Sequence, residues 1–211
     1  MGPVGALLLA AGESRRMGTL KALLQWRDTT LLRHQVLTLQ QAGLSPIVVV
    51  VGHRAPEMES HIANLFGVQT VHNPHYMEGK TTSIKAGLEL LDSRDLKALL
   101  VLNVDQPRSF KTIAKVVAAH QSRHASITIP SHKGKGGHPV VFSAALLEEI
   151  KAISEDTQGL KAVVRRYESE VLRVDMDSDE VLLDLNSEAE YRRALETYGQ
   201  DPQPPAKNQA R

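Results

Sequence analysis

The chain has 211 residues, and its 25 basic and 24 acidic side chains leave a formal net charge of +1, so it carries no broad electrostatic footprint for nucleic acid or an anionic membrane. The absence of cysteine excludes disulfides, thiolate zinc sites and iron–sulfur clusters, and it fits a reducing compartment. The length suits one α/β domain over 1–198, able to bury a core without covalent staples, with a disordered tail over 199–211. The apolar run after Met1 is too short to span a bilayer and lacks a basic region before it, so a soluble cytoplasmic protein is expected.

Val4 to Ala10 is a nearly unbroken apolar run, which suits a strand buried on both faces of a parallel sheet. It ends in a loop from Gly12 to Gly18 that carries Arg15 and Arg16, followed by Lys21. Ligands of open α/β sheets bind past the C-terminal ends of such strands, and glycine-loop N–H groups with Arg16 and Lys21 could cradle a triphosphate. The alternative is a strand-to-helix turn whose arginines face water. The spacing is that of neither a Walker A loop nor a G-x-G-x-x-G fingerprint.

From Thr30 to Gln41, Leu31, Leu32, Val36, Leu37 and Leu39 recur at helical spacing before Gly43. Ile47 to Val51 reads as a second buried strand, Pro56 opens a helix carrying Ile62 and Leu65, and Val68 to Val71 is a third strand. The polar turn Asn73 to Gly79 leads into a helix from Thr82 to Leu91 and could cover a ligand. Ala98 to Val104 is a strand that delivers Asp105 to the edge where the glycine loop should sit. Asp105 is either a turn residue or a magnesium ligand facing the phosphates.

Ser109 caps a predicted helix reaching His120, and Ala125 to Ile129 is another strand. The basic, glycine-rich stretch Ser131 to His138 is either a mobile hairpin connection or an acceptor-binding loop. Pro139 to Phe142 is then a strand, with a Ser143-capped helix through Ile150. A helix over Thr157 to Tyr167, a strand over Val171 to Val174 and a short strand at Leu182–Leu183 follow. Ser187 and Glu190 form a capping box for a last helix through Leu195.

The stretch Leu9-Ala10-Ala11-Gly12-Glu13-Ser14-Arg15-Arg16-Met17-Gly18 with Lys21 resembles the signature of MobA-like nucleotidyltransferases, a family that includes the molybdenum cofactor cytidylyltransferases. Gly79 to Gly87 is similar to the family's nucleobase and ribose segment, Asp105-Gln106-Pro107 to its metal-binding D-x-P, and Gly137-His138-Pro139-Val140 to its G-x-P-V element. The resemblance implies a three-layer, Rossmann-like (GT-A-type), mostly parallel α/β sheet with helices on both faces. It implies nucleotide binding by Leu9, Ala10, Ala11, Gly12, Gly18, Gly79 and Ser83, and catalysis by Arg16 at the β- and γ-phosphates and Lys21 at the α-phosphate. Mg2+ would be held by Asp105 and Asn186, and the acceptor by Gly137 and His138; a lone histidine beside a proline strand is otherwise a hydrogen-bonded structural residue.

The implied reaction is transfer of CMP from CTP to the phosphate of molybdopterin or molybdenum cofactor, with pyrophosphate released and a protein partner accepting the product. Ala10-Ala11-Gly12 is similar to the cytidylyl branch, so CTP is expected over GTP. Two departures stand out: Val104 replaces a common glycine, and Asp156-Thr157-Gln158-Gly159-Leu160-Lys161 stands where the pterin-handling branch often reads G-D-x-G-A-R. The second leaves open a sugar or polyol phosphate as acceptor. A non-catalytic nucleotide-binding regulator is the competitor from another class, against which the retention of Gly12, Arg16, Lys21 and Asp105 argues.

Overall fold

A computed structural model describes residues 2–14, 18–91 and 95–199. In chain order it forms β1 (Val4–Ala10), a small antiparallel pair β2 (Gln25–Trp26) and β3 (Thr29–Thr30), α1 (Leu31–Gln41), β4 (Ile47–Val51), α2 (Ala55–Ser60), β5 (Val68–His72), α3 (Lys80–Leu90), β6 (Ala98–Asn103) and α4 (Phe110–Arg123). The second half comprises β7 (Ile127–His132), β8 (Lys135–Gly136), β9 (Val140–Ser143), α5 (Leu147–Lys151), α6 (Leu160–Arg166), β10 (Val171–Asp175) and α7 (Glu188–Tyr198).

The main sheet runs β10-β7-β9-β6-β1-β4-β5, with β8 paired to β7. The links β1–β4, β1–β6, β4–β5 and β10–β7 are parallel, whereas β9 is antiparallel to both β6 and β7. The reversal has a simple cause. A parallel return needs a crossover of a dozen or more residues, and the connection from His132 to Val140 is too short, so the chain folds back on itself. The glycine-rich stretch is therefore a hairpin: Lys133 and Gly134 take positive φ, and Lys135–Gly136 pair with Ser131–His132.

All seven residues of β1 are buried, as a strand covered on both faces requires. Alternation sends Ala6, Leu8 and Ala10 to one face, against Leu32, Val36 and Leu39 of α1, Met58 of α2 and Ile113 and Val116 of α4. Leu7 and Leu9 face Ile84 and Leu88 of α3, Ile150 of α5 and Val163 of α6. Each fully buried leucine or isoleucine contributes about 1.5–3 kcal/mol, so the two layers are the main stabilising term. A third cluster joins Trp26 and Leu31 to Leu185 and Ala194, and it docks α7 beside the start of α1.

The Ser187 half of the expected capping box is present, with Ser187 Oγ accepting from Glu190 N at 3.2 Å, while Glu190 Oε2 accepts not from the Ser187 N–H but from Asn186 N, one residue earlier, at 3.0 Å. Several boundaries differ from the sequence reading. Helix α2 ends at Ser60, so Ile62 and Leu65 lie beyond it in the turns that follow, while α3 starts at Lys80 rather than Thr82 and α4 runs on to Arg123. Leu182 ends a 3-10 turn (Asp179–Leu182) instead of opening a strand. The helix expected from Thr157 begins at Leu160, because Gln158 and Gly159 sit at φ 65° and 57°. The strand expected from Ala125 begins at Ile127, after His124 ends α4 in the left-handed region. The tail lies outside the described residues beyond Gly199.

Candidate active site

A cleft opens at the C-terminal edge of β1 and β6. Its first wall is Leu9, Ala10, Ala11, Gly12, Ser14 and Lys21; its second is Tyr76, Gly79, Lys80 and Ser83; its floor is Asn103, Val104 and Asp105. The sheet accounts for this convergence. Parallel β1 and β6 lie side by side with Leu9 opposite Asn103, so the turn after each strand meets the other, and Val104 N donates to Leu9 O at 2.9 Å. Eight residues singled out in the sequence therefore share one cleft: Leu9, Ala10, Ala11, Gly12, Lys21, Gly79, Ser83 and Asp105. Gly18, at φ 63°, lies outside this lining. Arg16 lies outside the described residues.

Ser14 Oγ accepts from Lys21 N at 3.0 Å, which ties the two ends of the glycine loop together. The Lys21 side chain then reaches across the cleft, and its Nζ donates to Asp105 Oδ2 at 2.8 Å and to Asn186 Oδ1 at 3.0 Å. The ammonium thus sits between a carboxylate and an amide oxygen from two different segments. Lys21 and Asp105 keep side-chain exposures of 14% and 23%, so the pair is shielded yet reachable. Asp184 is the neighbouring acid; burial first, then the Asp105 charge, raise its carboxyl above the usual range, against the hydrogen bond with Asn186 and the charges of Lys21 and Lys80.

The Asp105 turn is held from α1 and from within. Gln35, fully buried, donates through Nε2 to Gln106 O at 2.9 Å, and Gln106 Oε1 accepts from Asn103 Nδ2 at 2.8 Å. On the second wall, buried Asn73 donates through Nδ2 to Ser83 Oγ and to Thr82 Oγ1, each at 2.9 Å. Glu155 Oε1 accepts from Thr81 N at 2.6 Å and supplies the negative charge that the first turn of α3 favours. Gly79 stands at φ 121°, and a Cβ there would strike the Glu155 side chain. Tyr76 Oη bonds Glu13 Oε1 at 3.1 Å, joining the glycine loop to the second wall.

Gly137 and His138 do not line the cleft. Their backbone is structural, with Gly137 N donating to Pro130 O at 2.8 Å and His138 N to Val181 O at 2.9 Å. A Cβ at Gly137 would collide with the Val181 carbonyl. The half-buried His138 imidazole is pulled down to about 4 by burial first, then by the positive charges of Arg108 and Lys80, so it is neutral at pH 7. The sequence reading did not single out Arg108, Gln35, Asp184, Lys80, Asn73 or Tyr76. Arg108, Lys80, Tyr76 and Asn73 do adjoin or lie within the motifs that were noticed. Tyr76 bonds Glu13, 63 residues away, and Arg108 bonds His138, Val181 and Leu183, 30 to 75 residues away, so local pattern left these two silent.

A mostly parallel sheet whose C-terminal edge gathers a glycine loop, a lysine and an acidic strand end defines an α/β transferase that handles nucleotides. A family model described as a MobA-like NTP transferase domain matches residues 6–171, and the chain belongs to this family of nucleotidyltransferases. It is similar to the molybdenum cofactor cytidylyltransferase of Escherichia coli (strain K12), 26% identical over 198 residues that cover 94% of this chain and 98% of the relative. It is also similar to the nicotine blue oxidoreductase of Paenarthrobacter nicotinovorans, 27% identical over 200 residues, 91% of this chain and 96% of the relative. Among solved structures, Rv0371c from Mycobacterium tuberculosis H37Rv superposes with a TM-score of 0.80 at 26% identity, covering 92% of this chain and 98% of that one.

Proposed function

We propose that this nucleotidyltransferase moves CMP from CTP onto the phosphate of a small acceptor, molybdopterin or molybdenum cofactor, and releases pyrophosphate in a Mg2+-dependent reaction. The observation that carries the reading is Lys21 Nζ held between Asp105 Oδ2 and Asn186 Oδ1 at the head of the cleft. Two hard oxygen donors that converge on an ammonium are chemically suited to a hard divalent cation, with water and phosphate oxygens completing its shell. Asp105 and Asn186 would hold the metal, which when bound neutralises charge on the transferring phosphoryl group.

The protein's own part is to position and to offset charge. An acceptor phosphate oxygen forms the new bond to the α-phosphorus while the bond to pyrophosphate breaks; the acceptor arrives ionised, so no general base is required. Lys21 is within reach of that centre, and the glycine loop, with Arg16 carried over from the resemblance, binds the departing pyrophosphate. Leu9 to Gly12, Gly18, Gly79 and Ser83 bind the nucleotide, and Ala11 leaves less room for a purine. Gly137 and His138 do not line the cleft, and they are kept on the acceptor side only as the resemblance implies. A similarly sized relative is named an oxidoreductase, but a lysine and two oxygen donors suit phosphoryl charge rather than hydride transfer.

The departure at Asp156 to Lys161 favours keeping sugar and polyol phosphates as competing acceptors. The test is pyrophosphate release from CTP, GTP and ATP, each with molybdopterin, a sugar phosphate or a polyol phosphate. Release with CTP and molybdopterin is the expected result. Release only with another acceptor would move the assignment to that class, and no release in any combination would overturn the transferase reading.

A further inference from the structure

Only 1% of Arg108 is exposed, and its guanidinium is spent on main-chain carbonyls. Nε donates to His138 O at 2.8 Å, Nη1 to Pro107 O at 2.8 Å, and Nη2 to Val181 O at 2.9 Å and Leu183 O at 3.0 Å. These carbonyls belong to three segments remote in sequence: the turn after Asp105, the bend at His138, and the stretch that runs into Asn186. One backbone bond closes the same knot, Leu185 N to Asp105 O at 2.9 Å. The nearby Glu180 carboxylate is committed elsewhere, to Ser109 N, Ser109 Oγ and Thr112 Oγ1 at the start of α4.

Burying a guanidinium that bonds only to carbonyls carries a desolvation cost that those bonds must offset. Burial accordingly lowers its pKa to about 10, against the carboxylates of Glu180, Asp184 and Asp105, so it remains a cation at neutral pH. A neutral amide could bond one or two of these carbonyls. Only the planar five-donor fork of arginine spans all three directions from one point.

We propose that Arg108 is the positioning residue for the cation seat. By gripping the carbonyl two residues after Asp105 and the carbonyl three residues before Asn186, it sets the separation of the two oxygens that converge on Lys21. The inference rests on the metal reading given above: Arg108 hydrogen-bonds neither Asp105 nor Asn186, and its influence passes through the backbone. Groups hydrogen-bonded directly to a metal's ligands commonly change its affinity ten- to hundredfold when altered, and Arg108, one step further out, belongs at the low end, about tenfold.

The test compares Arg108→Lys with wild type. Mn2+ is titrated into protein holding a non-hydrolysable CTP analogue, with free ion read by electron paramagnetic resonance, and metal-free analogue binding is measured separately by calorimetry. The expected result is a loss of Mn2+ affinity of about tenfold, with analogue binding changed by less than about threefold, because Arg108 is not among the residues that line the cleft. Unchanged Mn2+ affinity in folded Arg108→Lys, or an equal loss of both ligands, overturns the proposal. Asp105→Asn is the control: if it leaves Mn2+ binding intact, the metal reading itself fails and the inference falls with it. Should Arg108→Lys not fold, Arg108→Met keeps an apolar side chain of similar length for the same titration, and failure of both to fold shows the strap to be purely structural.

Discussion

At the scale of single residues, the contact of Lys21 with Asp105 and Asn186 makes two opposed demands on one ammonium. On the function proposed above, its position between Asp105 Oδ2 and Asn186 Oδ1 is the place that a divalent cation would take, while turnover would call for it at the α-phosphate. Replacing it should separate these roles. Lys21→Met is expected to lower kcat on the order of 10²- to 10³-fold, the usual effect of removing one charged donor from a dry site. The same variant should bind Mn2+ more tightly without nucleotide, because nothing competes for the two oxygens; weaker Mn2+ binding would show that the lysine helps to build the seat. Asp105→Asn should abolish turnover and leave the melting temperature near wild type. Ala11→Gly tests the base: if the methyl group crowds a purine, GTP should gain on CTP in a competition assay by roughly ten- to two-hundredfold at most.

The elements decide how rigidly these residues are held. Helix α3 presents Ser83 to the cleft, and its first turn is fixed by Glu155 at Thr81 N and by the φ of 121° at Gly79. Gly79→Ala is therefore expected to cost about 1–3 kcal/mol, as a strained backbone conformation typically does, visible as a lower urea midpoint. It should also raise the KM for nucleotide, since the turn that carries Lys80 and Ser83 must shift. An unchanged midpoint would mean that Glu155 gives way and the turn is not strained. The elements themselves were legible from local pattern. Ser187 and Glu190 announced α7, and the apolar run Val4 to Ala10 announced a central strand, since capping and burial on both faces are written within a few residues. The start of α6 was not, because a positive φ at Gln158 leaves no mark in composition.

Across the whole molecule, stability should depend on pH through buried histidines. Burial, the first cause in each, pulls His34, His120 and His138 down to about 4 from an ordinary 6.5. As pH falls below about 6.5 the unfolded chain takes up protons that the folded chain refuses until about 4, so these three contribute stability above that window and lose it within. Urea midpoints should fall from pH 7 to pH 4.5, and His120→Asn should flatten that fall in proportion to its share. An unaltered slope would show that His120 is protonated in the folded state.

What the sequence alone determined is local: the strands buried on both faces, the glycine loop, the acid at the end of β6 and the capped last helix. Each follows from side-chain periodicity or from a conformational preference acting over a few residues. What only the tertiary structure decided is who meets whom. Lys21 touches residues 84 and 165 positions away, Arg108 joins three segments that share no pattern, and β9 turns antiparallel because its connection is too short to cross over. Such contacts depend on strand order and on chain reversal. These arise from the packing of the entire core, and no short stretch of residues encodes them.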